Sequence, residues 1–252
     1  MKCFRRVALQ TFFSLFSLAS LGCNASADHI KFPSGASLKF ASPLTSEEQK
    51  TFGHGWKVAT YTSTTGKKFN LFSSERLTPS GGLIFDDTYP PAISPTGNYV
   101  AIIISRVGVV EPGRNEKSIV QAKQYCPVLD TRTGCILSNQ NGVLCAGEWE
   151  RHSDRWIVRG LDDNVSAPML EYQFEDANAL WKEYSSARSA SYGYSIREAI
   201  SENLGIENIM ACDPPNNNNA ESYKRISEEL KRVGDIYGAN HIAENLKNRG
   251  VK

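Results

Sequence analysis

Four histidines, His29, His54, His152 and His241, are the only imidazoles in a chain of 252 residues, and imidazole is the side chain best suited to moving protons near neutral pH. His54 stands in Gly53-His54-Gly55-Trp56, where flanking glycines would let a backbone approach a ligand closely; a turn before a strand explains the same residues. Arg151-His152-Ser153-Asp154 sets three triad-type side chains in consecutive positions. Triads converge from separate segments, so this stretch reads as a polar loop. Glu148 and Glu150 would share one strand face on either side of Trp149, which permits acid and base chemistry and equally an ordinary exposed edge. The acid pairs Asp86-Asp87 and Asp162-Asp163 lack the alternating oxygens of a calcium loop and read as solvated turns. G-x-S-x-G, H-E-x-x-H, a Walker loop and G-x-G-x-x-G are all missing from the sequence. No catalytic residue, metal ligand or cofactor is therefore assigned, and the expectation is a protein that is not an enzyme.

The cysteines say more about compartment. Residues 1–27 hold Lys2, Arg5 and Arg6, then an apolar stretch from Val7 to Leu21, then Ala25-Ser26-Ala27, the three parts of a secretory signal peptide cut before Asp28. The stretch is shorter than the roughly 20 apolar residues that span a bilayer. Leu21-Gly22-Cys23 also resembles the end of a bacterial lipobox, so contact with a membrane is expected only if Cys23 is lipidated. Beyond residue 27 the chain has 25 basic and 27 acidic side chains, a balance that gives no electrostatic reason to expect nucleic acid as a partner. Four cysteines remain, Cys126, Cys135, Cys145 and Cys212, and an even number in an exported chain reads as two disulfides. Zinc is disfavoured because no C-x-x-C pair exists. Of the three pairings, Cys135 with Cys145 across a hairpin and Cys126 with Cys212 is the preferred one.

The elements that must position these residues change character along the chain. Short runs rich in Val, Ile, Tyr and Thr, bounded by Gly, Pro, Asn and Asp, predict strands at Trp56–Ser63, Lys68–Phe72, Gly82–Phe85, Asn98–Arg106, Ile119–Leu129, Gly142–Cys145, Arg155–Leu161 and Met169–Phe174. No helical segment of useful length lies between them, which argues antiparallel meanders. Val100 to Ile104 is apolar throughout and predicts a strand covered on both faces. After residue 174 the pattern turns helical. Ser195-Ile196-Arg197-Glu198 is a capping box ended by Gly205, Asp213–Asn219 is a loop, and Tyr223, Ile226, Leu230, Val233 and Ile236 form the apolar stripe of an amphipathic helix broken at Gly238. Ala239–Lys247 predicts a short last helix with Ile242 and Leu246 inward. The expected fold is α+β: a signal peptide over 1–27, an antiparallel β-rich, blade-like domain over 28–175, and a helical part over 176–252 packed on the sheet.

Two resemblances add to this. Ile93-Ser94-Pro95-Thr96-Gly97-Asn98-Tyr99-Val100-Ala101 and Leu129-Asp130-Thr131-Arg132-Thr133-Gly134-Cys135 resemble the turn motifs of a single β-propeller blade, with Gly97 and Gly134 supplying positive φ and Asp130 capping its turn. Trp149 and Trp156 could begin a second blade, but no repeat of fixed period extends further. Thr133-Gly134-Cys135 followed by Cys145-Ala146-Gly147-Glu148-Trp149 resembles the small exported immunity proteins that bacteria deploy against secreted antibacterial toxins. That resemblance implies a periplasmic protein that occludes one exported or translocated effector protein, such as a lipase. Trp149, Arg151, Arg155 and Trp156 are the candidate partner-binding residues, because aromatic and Arg anchors dominate interface energies. An envelope hydrolase built on His54 or His152, and a structural lipoprotein of an envelope assembly, stay open as alternatives.

Overall fold

The computed structural model describes residues 28–111, 113, 117–161, 165–189 and 193–251; the expected signal peptide, Cys23, and Asp162-Asp163 lie outside them. The fold is α+β. Ten strands form one curled antiparallel sheet: β1 (His29–Lys31), β2 (Ser37–Pro43), β3 (Trp56–Thr62), β4 (Lys68–Asn70), β5 (Gly81–Phe85), β6 (Ala92–Ile93), β7 (Tyr99–Ala101), β8 (Ile104–Val110), β9 (Ile119–Asp130) and β10 (Ile136–Asn141). A two-residue hairpin, β11 (Glu148–Trp149) with β12 (Trp156–Ile157), stands apart from it. The helices are α1 (Ser46–Phe52), α2 (Ser166–Leu170), α3 (Ala177–Ser189), α4 (Ile196–Glu202), α5 (Ile206–Cys212), α6 (Ala220–Arg232) and α7 (Ile236–Asn248).

β7 and β8 are two pieces of one strand. Ala101 opposes Val128 and Ile104 opposes Tyr125 in unbroken register, and between them the Ile102 amide donates to the Pro127 carbonyl. Pro127 has no N–H to return, so the ladder lapses there without a change of register. The apolar run of this strand is covered on both faces, as its composition predicts. Val100, Ile102 and Ile104 join the main core with Leu38, Tyr61, Phe85 and Leu129, while Ala101 and Ile103 face a second cluster built on Cys126, Val128, Trp156 and Met169. The blade-like turns also form as expected: Gly97 and Gly134 have φ of +76° and +78°, and the Asp130 carboxylate accepts from the Arg132 amide at 2.8 Å. β6, β7, β9 and β10 are successive hydrogen-bonded neighbours in blade order, and Trp149 and Trp156 belong to the small β11–β12 hairpin and begin no second blade.

Several expected strands are something else. Gly142–Ala146 is a 3-10 turn, only Trp156–Ile157 of the run from Arg155 is paired, and Met169 and Leu170 close helix α2. Pro168 does not oppose that helix, because it lies in the first turn, where backbone N–H groups have no intrahelical partner.

The helical part has its own core of residues from α3 to α7, including Leu180, Tyr184, Ile209, Tyr223, Ile226 and Ile242. Ser195 and Glu198 make the reciprocal capping box at α4. α6 ends at Gly234 and not at Gly238: the Asp235 amide reaches the Leu230 carbonyl at 2.8 Å and the Gly234 amide the Lys231 carbonyl at 3.1 Å, a Schellman motif in which Gly234 takes φ +77°. Ile236 therefore leaves the α6 stripe and begins α7 exposed, whereas Gly238 is buried inside α7 beneath Leu230. At the end of α4 the same motif carries Leu204 at φ +61°. A leucine pays for that conformation, and here its side chain reaches the core of the sheet.

Glu229 ties α3 to α6. It is buried and accepts from the Tyr184 hydroxyl, from Arg188 at 3.1 Å and from Arg232 at 2.8 and 2.6 Å. Hydrogen bonds from Arg232 are the main cause that lowers its pKa from 4.5 to about 2. Because the folded pKa is depressed, the stabilisation is complete above the unfolded value and fades as pH falls from about 4.5 towards 2. Allowing for solvent screening around the two exposed guanidinium groups, it is expected to amount to about 1–2 kcal/mol. Urea unfolding of Glu229→Gln at pH 7 and pH 3 should give a flatter pH dependence than the parent chain; equal slopes would remove Glu229 from the acid response.

Candidate functional site

The residues singled out in the sequence are mostly committed to structure. Trp156 is only 3% exposed, and its indole N–H donates to the Leu144 carbonyl at 2.9 Å. Trp149 meets it edge-on at 5.0 Å, stacks on Tyr99 at 6.3 Å and donates to the Ala92 carbonyl at 2.8 Å. The two indoles thus pack the small hairpin against the outer face of the sheet, so Trp156 is corrected from a surface anchor to an interior one. Arg151 is exposed and Arg155 half-buried on the turn between them.

The polar side chains of that turn bond to one another and to the sheet. The Asp154 carboxylate accepts from the Thr96 amide at 3.1 Å, from the Thr96 hydroxyl and from Asn98 at 3.3 Å, while Ser153 donates to Glu150. Asp154 clamps the hairpin to the Ser94–Gly97 turn, and His152 is exposed at its tip. His54 is likewise exposed after α1. The approach that glycine permits at Gly55 is to the sheet: a Cβ there would sit 2.2 Å from the Phe85 carbonyl oxygen. Asp86 accepts from the Thr88 amide at 2.7 Å in a simple turn. Among the described residues no group of three or more metal-binding side chains gathers.

The preferred cysteine pairing is overturned. Cys126 bonds Cys145, with Cα atoms 5.4 Å apart, and Cys135 bonds Cys212 at 4.7 Å. The 3-10 turn carries Cys145 back over β9, while Cys135, in the turn before β10, faces α5. Two disulfides fit an oxidising, exported compartment, and among the described residues no helix is long and apolar enough to cross a membrane.

Candidate geometry missed in the sequence lies in two places. The first is a cleft of about 620 Å³ between the sheet and α5 and α7, with Lys68, Asn70, Ser73, Arg76, Tyr237 and His241 among its lining. On its wall the buried Glu207 accepts from Ser73 at 2.8 Å. Tyr237, 71% exposed, stacks on His241 at 5.9 Å, and burial lowers the His241 pKa, favouring the neutral imidazole. A smaller recess of about 250 Å³ shares Phe69, Glu207 and His241 with the cleft.

The second place is the first half of β9. Residues Ile119 to Tyr125 pair with β8 on one side, but β10 reaches only from Tyr125 onward on the other. Bond directions alternate along the strand: Pro127 bonds towards β7, and Asp130 bonds towards the β10 side through Cys135. By the same alternation Val120 and Ala122 turn their N–H and C=O groups outward, and no bond to them from that side occurs among the described residues. Val110, Ile119 and Val120 are exposed beside this edge at 38%, 47% and 41%. No family model, no curated protein and no solved structure matches the chain.

Proposed function

We propose that this is an exported protein, resident in the periplasm, that binds and occludes a single partner protein in the manner of the immunity proteins it resembles. The open edge of β9 carries this reading. Unpaired strand amides beside exposed aliphatic side chains are what an incoming extended segment needs: its backbone completes the ladder while Val110, Ile119 and Val120 supply apolar contact. Edges of this kind are ordinarily guarded by bulges, prolines or inward charges. Val120 to Gln124 contains no proline, keeps unbroken register with β8, and bears one charge, Lys123. The surface assigned to the partner thus moves from the inward-facing Trp149 and Trp156 to β9, with Arg151 left on the turn of the β11–β12 hairpin.

The test begins with the tagged chain in its native envelope under non-reducing conditions. One stoichiometric exported partner is expected, toxic when produced alone and harmless when co-produced with this chain. Ala122→Pro removes an outward N–H and spares the bonds to β8, so it should weaken the complex at least about tenfold, the equivalent of one or two lost hydrogen bonds. Absence of any partner would reject the reading, and undiminished affinity of Ala122→Pro would reject the edge.

A further inference from the structure

The smaller recess, of about 250 Å³, is framed by Lys67, Arg132 and Arg249 together with the hydroxyl-bearing Thr64, Thr65 and Thr133. Its charges are unevenly compensated. Arg132 is paired with Asp130 at 2.7 Å. Lys67 has only a neutral partner, the Asn245 side-chain carbonyl at 2.7 Å, and among the described residues neither Lys67 nor Arg249 has a carboxylate within ion-pair distance. Lys67 and Arg249 are both exposed at the mouth of the recess, and partial desolvation followed by the like charge of Arg249 lowers the Lys67 pKa. Lys67 comes from the β3–β4 turn and Arg249 from the end of α7, and the Lys67–Asn245 bond spans 178 residues.

We propose that this recess is an anion site whose ligand is a phosphomonoester. Lys67 and Arg249 outnumber the one unpaired carboxylate that also lines the recess, Glu207, which is turned to Ser73, and a pair of cations matches a dianion better than a singly charged carboxylate. An ammonium and a planar guanidinium, with threonine hydroxyls at the rim, offer more donors than a carboxylate has oxygens to use and suit a tetrahedral group. The volume is below that of sites for drug-sized ligands and larger than a phosphate group alone, so the recess takes the phosphate with the first atoms of its organic part, which points past Glu207 and His241 towards the larger cleft. There Asn70, Ser73 and Tyr237 offer polar contacts to a small polyol.

The test titrates inorganic phosphate, glycerol 3-phosphate and acetate into the full oxidised chain by calorimetry at constant ionic strength. Phosphate should bind saturably at one site, glycerol 3-phosphate at least as tightly, and acetate at least about tenfold more weakly. Lys67→Gln keeps an amide beside Asn245 while deleting the charge, and Arg249→Ala empties the other side; each should weaken phosphate about tenfold or more with the circular dichroism of the parent. No saturable phosphate binding up to about 20 mM, acetate as tight as phosphate, or either variant binding as well as the parent would overturn the proposal. The β9 edge is untouched by these variants, so failure here leaves the partner reading standing and the reverse also holds.

Discussion

Replacing Cys135 and Cys212 together by alanine is expected to lower stability by about 4 kcal/mol, because the bridge closes a 77-residue loop and most of its stabilisation comes from restricting the unfolded chain. For a domain of this size that corresponds to a fall in Tm of roughly 8–16 °C. The shorter bridge, Cys126 to Cys145 with a separation of 19, should contribute about 3 kcal/mol. The two variants should also fail differently. Cys135–Cys212 fastens the sheet to a helical part that has its own core, so its loss should expose amides of α3 to α7 to hydrogen exchange before those of β7 to β9. Loss of Cys126–Cys145 should instead loosen the β11–β12 hairpin, whose indoles pack beside that bridge. Mapping disulfide-linked peptides without reduction provides the direct check: recovery of Cys135 with Cys145 would overturn both the pairing and the ranking.

The misread cysteines show where the sequence is silent. The hairpin between β9 and β10 is legible, with Asp130, Thr133 and Gly134 as turn residues, but disulfide partners depend on what packs above each end of it. Cys126 points to the outer face with Val128, and the 3-10 turn after β10 folds Cys145 onto that face. Cys135 meets a helix that begins some 70 residues later. The indoles are opaque for a similar reason. In Arg155-Trp156-Ile157-Val158-Arg159 the three central residues are all apolar, which blurs the alternation by which Trp156 and Val158 face in while Ile157, with Arg155 and Arg159, faces out. Local signals translated well: Ser195 with Glu198, the glycines of the two blade-like turns, and the stripe from Tyr223 to Leu230 all specify their structure within a few residues. Thr45 and Glu48 carry the same capping signature as Ser195 and Glu198 and mark the start of α1. The recess holding Lys67 and Arg249 had no such local signature, since nothing within a few residues of either position distinguishes it from an ordinary surface cation.

Asn208 tests how the helical part finds the sheet. It is 4% exposed on α5, one turn before Cys212, and its side-chain amide does for Ile136 what a neighbouring strand would do. The Ile136 N–H donates to Asn208 Oδ1 at 2.8 Å, and Asn208 Nδ2 donates to the Ile136 carbonyl at 3.4 Å. Asn208→Ala would strand both backbone groups away from water, a cost of about 2–4 kcal/mol given roughly 1–3 for each unsatisfied buried group. The Ile136 amide should then exchange much faster than its neighbours on β10. Asn208→Asp separates hydrogen bonding from packing. It keeps an acceptor for the Ile136 N–H, but when ionised it faces the Ile136 carbonyl without a proton to offer, and burial without a cation raises its folded pKa. A raised carboxyl pKa places the stabilising, protonated form at low pH, so this variant should approach the parent near pH 4 and lose stability as pH rises to 7, where it should be no better than Asn208→Ala. Urea midpoints for both variants across that range measure it. A pH-independent Asn208→Asp, or a loss below about 1 kcal/mol for Asn208→Ala, would mean that Cys135–Cys212 and Leu204 dock the helices without the amide bridge.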